Sequence, residues 1–99
     1  MSIVAFLNME IHLRIYDSYS LKDKRSTVKS IINRLNQRYN VSIAEVGEQD
    51  MLNVAHMGIA IASSSARICQ QVFDQIAADV ENQYEVEIFE MIEYQTGRV

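Results

Sequence analysis

The chain contains no proline, no tryptophan, three glycines and a single cysteine. One thiol, Cys69, excludes an internal disulfide, so the fold must rest on its core. No apolar stretch approaches the roughly 18 residues that suggest a membrane span, and runs such as Ile59-Ala60-Ile61-Ala62 are only a few residues long. No basic segment leads into an apolar stretch and a small-residue cleavage site, the pattern of a signal peptide. These absences predict a protein of the reducing cytoplasm with no membrane partner. The G-x-G-x-x-G, Walker, C-x-x-C and H-E-x-x-H patterns are missing too, and no cofactor is expected. No repeat, low-complexity tract or linker divides the sequence.

Apolar material is plentiful by contrast. Hydrophobic residues make up 48% of the 99, and a chain of this length can bury about 60 to 70% of its unfolded surface. A single domain over residues 1–99 is expected. The net charge of −4 conceals an uneven layout. Arg14 to Arg38 holds seven cations against Asp17 and Asp23, and everything outside that segment sums to −9. One surface is therefore suited to anions although the whole chain would be repelled from nucleic acid at long range. The same run of cations is also what an ordinary solvated helix face provides.

From Ile3 to Ile15 every odd position is apolar, while Asn8, Glu10, His12 and Arg14 fall on even ones. That period of two predicts a strand with one buried face, whose second face starts apolar at Val4 and Phe6. Ser20 precedes Leu21, Val28, Ile31, Ile32, Leu35 and Tyr39, which gather on one side of a helix over about 21–39. Ser20 with Asp23 forms a capping-box-like start, and Asn40 suits a left-handed C-terminal position. Residues 41–47 and 55–62 read as two strands of a hairpin, joined through Gly47-Glu48-Gln49-Asp50. Ser63, Ser64 and Ser65 compete as N-caps of a second helix with the stripe Ile68, Val72, Phe73, Ile76 and Val80. Residues 86–94 read as a last strand, its phase blurred by Phe89 and Met91. The order βαββαβ predicts a ferredoxin-like α+β sandwich, with two helices on one face of a four-stranded antiparallel sheet.

On the first helix Lys22, Arg25 and Lys29 occupy one flank of the apolar stripe and Arg34 and Arg38 the other, with Lys24 nearer the core edge. Cations so arranged engage backbone phosphates without reading sequence, so no sequence-specific DNA binding is expected. His12 and Glu10 on the first strand and His56 on the third would meet on the open sheet face if those strands pair in the expected register. Two imidazoles and a carboxylate are zinc- or iron-type ligands; the alternative is half-exposed polar residues on a solvated or dimer-buried sheet. Cys69 lies beside the second helix's stripe and reads as a small buried hydrophobe. The acids Glu85, Glu87, Glu90 and Glu93 read as the wet side or charged edge of a strand.

Two segments, Ser20-Leu21-Lys22-Asp23-Lys24-Arg25-Ser26 and Val41-Ser42-Ile43-Ala44-Glu45-Val46-Gly47-Glu48-Gln49-Asp50, resemble the YlxP-like family of small bacterial proteins of unknown function. The resemblance implies a ferredoxin-like fold, a cytoplasmic location and a setting near translation, since such proteins are often encoded beside translation and ribosome factors. Matching motif positions are His12, Ser20, Leu21, Lys22, Lys24, Arg25, Ala44, Glu45, Val46, Gly47, Gln49, Asp50 and Gly58. Ser20, Leu21 and Gly47 have structural duties, Gly47 through backbone geometry closed to other residues. Glu45, Gln49 and Asp50 are the functional candidates of the motif loop, and are expected to orient the start of the first helix. After Asp50 the chain departs from the family, with Leu52, Asn53 and Val54 where an aromatic, an amide and a basic residue are usual. His56 is likewise not a family residue.

Two functions follow as expectations. The first is a non-enzymatic module that binds RNA or a ribosomal surface through Lys22, Lys24, Arg25, Lys29, Arg34 and Arg38. The second is a homodimer that uses the open sheet face, with Val4, Phe6 and Tyr16 opposite Gly58, Ala60 and Ala62, or an exposed strand edge.

Overall fold

The computed structural model describes residues 4–94. Ile3, where the first predicted strand begins, lies outside them. The elements are β1 (Ala5–Ile15), α1 (Leu21–Arg38), β2 (Val41–Gly47), β3 (Val54–Ser63), α2 (Ala66–Gln83) and β4 (Val86–Tyr94). The strands form one antiparallel sheet in the order β2-β3-β1-β4, and this is the predicted ferredoxin-like α+β arrangement.

β1 is hydrogen-bonded on both sides, and its alternation decides which face is covered. Leu7, Met9, Ile11, Leu13 and Ile15 are buried together with Ala55, Met57, Ile59 and Ile61 of β3. Val28, Ile31 and Leu35 of α1 and Cys69, Phe73, Ile76 and Val80 of α2 close that face. Cys69 is the buried small hydrophobe expected of it. The other face carries the even positions of β1 and is covered by neither helix.

The helix starts obey the capping rules. The Ser20 hydroxyl accepts from Asp23 N–H at 3.0 Å, and the Asp23 carboxylate accepts from Tyr19 N–H at 3.1 Å. Of the three candidate serines Ser65 caps α2, its hydroxyl accepting from Ile68 N–H at 3.1 Å. Ile68 itself is 38% exposed, because its angle on the helix turns it past the sheet; Cys69 takes the place expected of it in the stripe. Asn40 is not left-handed. α1 ends at Tyr39, whose extended backbone leaves the core while its N–H donates to Leu35 C=O.

The β2–β3 connection holds the one non-glycine residue with positive φ among the described residues, Glu48 at 55°. Its carbonyl accepts from Met51 N–H at 3.1 Å to close the turn. Gly47 therefore has no backbone duty of the expected kind, since no described glycine has positive φ. It is required by proximity instead: a β-carbon there would lie 2.5 Å from His56 Nδ1. The predicted blur in β4 is a register shift between His12 and Leu13, which leaves Phe89 unpaired against β1.

Leu35 is fully buried, so Leu35→Ala should cost roughly 2 to 5 kcal/mol in urea unfolding, whereas the same truncation of half-exposed Ile68 should cost less than about 1 kcal/mol.

Candidate functional site

α1 gathers the cations, but the structure divides them into two kinds. Lys22, Arg25, Lys29 and Arg38 are exposed, and none has a carboxylate within 4.0 Å among the described residues. Arg25 and Lys29 stand one turn apart on one flank, with Lys22 a turn before them, so their charges can reach adjacent phosphates. The remaining two are committed inside the protein.

Lys24 is 1% exposed. Its ammonium lies 3.0 Å from the Glu45 carboxylate and also donates to the Glu48 carbonyl. The expectation that Lys24 contacts nucleic acid is thus corrected: α1 turns this position under the β2–β3 connection, where its charge is consumed. Glu45 meets α1 through this ion pair, and Glu48 joins it through its backbone. Ser18, also buried, donates its hydroxyl to the Leu52 carbonyl and ties the β1–α1 connection to the β2–β3 connection. Gln49 and Asp50 are exposed.

Arg34 is similarly engaged. Its Nε and Nη2 donate to Asp79 Oδ1 of α2 at 3.0 and 2.9 Å, a two-armed contact that leaves little charge for an outside ligand. This hydrogen bond holds the guanidinium above its ordinary pKa. Tyr39 donates to the other Asp79 oxygen at 3.4 Å. Burial, and then the Asp79 charge, push its phenol above the usual value. Arg34 and Arg38 nonetheless line, with Lys29, an open groove of about 580 Å³ between α1 and Tyr84 at the end of α2. Ser26, Ser30, Asn33 and Gln37 line it as well, with Tyr84 donating to or accepting from Ser30 at 2.8 Å. These four polar residues recur every third or fourth position. That polar stripe is visible in the sequence; the part played by Tyr84 is not, because it depends on the packing of α1 against α2.

The histidine pair lies where the register expectation placed it. His12 and His56 are directly opposite on β1 and β3, their rings stacked with centroids 4.1 Å apart. His56 Nε2 contacts the Glu10 carboxylate. Phe89 adds a third ring 5.8 Å from His12, and Arg14 lies 5.2 Å above the Phe89 ring. Stacking sets the imidazoles face to face instead of turning their nitrogens toward one point. Among the described residues no group of three or more His, Cys, Asp or Glu side chains is placed to hold a metal ion. The metal candidates His12, His56 and Glu10 therefore meet without forming a metal centre. No described helix is long and apolar enough to cross a membrane.

Residues 6–92 match the model of a protein family of unknown function, DUF503. The chain belongs to that family. It is also similar to the uncharacterized protein YlxP of Bacillus subtilis (strain 168), with 38% identity over 73 residues, 74% of this chain and 79% of the relative. In this DUF503 protein the positions shared with the YlxP-like motif split by role: Ser20, Lys24, Glu45 and Gly47 build the junction between α1 and the hairpin, while Lys22 and Arg25 are left on its surface.

Removing one partner of a buried ion pair strands the other charge. Lys24→Ala should therefore cost about 3 to 5 kcal/mol in chemical denaturation, with much of the loss recovered in Lys24→Met/Glu45→Leu. Lys22→Ala, two positions away, should change stability by less than about 0.5 kcal/mol.

Proposed function

We propose that this protein is a non-enzymatic module that binds RNA, free or on a ribosomal surface, through the outer face of α1. One observation carries the reading: four cations on a single helix are exposed with no carboxylate within 4.0 Å among the described residues, and two of them, Lys29 and Arg38, line a groove together with hydroxyls and amides. In a chain of net charge −4, most acids lie elsewhere, and Asp79 and Glu45 are already occupied by Arg34 and Lys24. Phosphates are the fitting ligand for the cations, because point charges a turn apart match successive backbone anions. The hydroxyls and amides lining the groove supply donors and acceptors for sugar hydroxyls or further phosphate oxygens. Lys22, Arg25 and Lys29 contact the strand first, and Arg38 extends the contact across the groove. The translation setting implied by the YlxP-like resemblance favours RNA as the source of those phosphates.

Binding of this kind is sequence-tolerant and sensitive to salt. Four phosphate contacts to single-stranded RNA give a slope of log affinity against log salt of about −3, a loss of roughly 50-fold between about 50 and 200 mM salt. Fluorescence anisotropy with an unstructured RNA oligonucleotide should show that slope. Arg25→Glu/Lys29→Glu should weaken binding by at least about tenfold and flatten the slope, with circular dichroism unchanged. Binding that persists unchanged in the double variant, or that ignores salt, would overturn the proposal.

A further inference from the structure

The uncovered sheet face has a step running along it. Over the rows from Phe6 to Glu10 its β1 and β4 half carries the larger side chains, and its β3 and β2 half carries small ones. The register sets these halves level, row by row. Phe6 pairs with Ala62; the next row reads Tyr94, Asn8, Ala60, Ser42; the one after it reads Ile92, Glu10, Gly58, Ala44. Phe6 and Tyr94 are each 52% exposed. Where Phe6 adjoins Ser42, Ala60 and Ala62 an apolar depression of about 380 Å³ is left open.

The geometry points to a second copy of this chain as the occupant of this face, docked about a twofold axis that runs along the strands between β1 and β3. That operation exchanges β1 with β3 and β4 with β2 while keeping every row at its own height. The raised half of each copy then enters the recessed half of the other, with Phe6 over Ala62, Tyr94 over Ser42 and Ile92 over Ala44. A surface that is its own complement under a twofold is what an isologous dimer requires, and facing sheets pack with their strands nearly aligned. An unrelated partner would have to supply the same step independently.

The area is sufficient. Four strands about 4.8 Å apart, paired over about eight residues, give a footprint of about 500 Å² per copy, or roughly 1,000 Å² in total, where specific interfaces begin. Of the central polar groups, the Glu10 carboxylate is already bound by His56, and His56 is stacked on His12. The axis leaves α1 on the outside of each copy, so the dimer neither requires nor blocks the RNA reading.

Sedimentation equilibrium of the full chain at about 10 to 500 μM should give twice the mass of one chain, and Ala60→Arg should return it to monomer with its circular dichroism unchanged. Single-cysteine variants then test the axis, because the native thiol is buried. A mixture of Tyr94→Cys and Ser42→Cys chains should crosslink through a short bis-maleimide. Neither variant should crosslink to itself, since the axis holds like residues about three strand spacings apart. A monomer at every concentration, a folded Ala60→Arg protein that stays dimeric, or self-crosslinking without mixed crosslinking would overturn the inference. If Ala60→Arg fails to fold, the crosslinking pattern decides alone.

Discussion

The strict alternation of β1 is the constraint on which the rest of this structure depends. Pairing on both sides makes β1 the centre of the sheet, and its odd side chains fill the space beneath both helices. A shift of one residue would send Ile11 and Leu13 to the outside and Glu10 and His12 into the core. Once that face is settled, the helices have no choice of side. The basic flank of α1 must point outward, and the even residues of β1 must lie on a face that no helix covers.

The cations of α1 show how packing divides one kind of residue between structure and function. Lys24 lies on the same helix as Lys22 and Arg25, and a charge count treats all three alike. Its angle carries it under the β2–β3 connection, where Glu45 and the Glu48 carbonyl surround it. Arg34 is drawn to Asp79 and holds α1 against α2. These two interactions consume charges that would otherwise compete at the surface, and the exposed set has no carboxylate within 4.0 Å among the described residues. The +5 segment of the sequence thus becomes a smaller patch with fixed neighbours.

Features that repeat locally could be read from the sequence. The period of two in β1, the stripe of α1, Ser20 as a cap and the order of elements all follow from near neighbours in the chain. The meeting of His12 with His56 was also legible, because the topology makes β1 and β3 antiparallel neighbours and each histidine's parity puts it on the open face. What could not be read depends on residues far apart in sequence. Nothing local distinguishes Arg34 from Arg38, since Asp79 lies 45 positions away from Arg34. The need for glycine at 47 comes from the His56 ring, and not from its own backbone. Asn40 is well suited to a left-handed cap, but Tyr39 leads the chain straight into β2 with no such turn. The bulge at Phe89 and the stepped relief of the open face appear only once register is known.

The central claim is that the exposed cations of α1 hold RNA, and it is tested most directly in growing cells. Crosslinking and immunoprecipitation of the tagged protein, followed by RNA sequencing, would be compared with the Arg25→Glu/Lys29→Glu protein at equal abundance. The account predicts enrichment at defined RNA positions that the double variant loses. Equal recovery from both proteins, or no RNA above background from either, would contradict it.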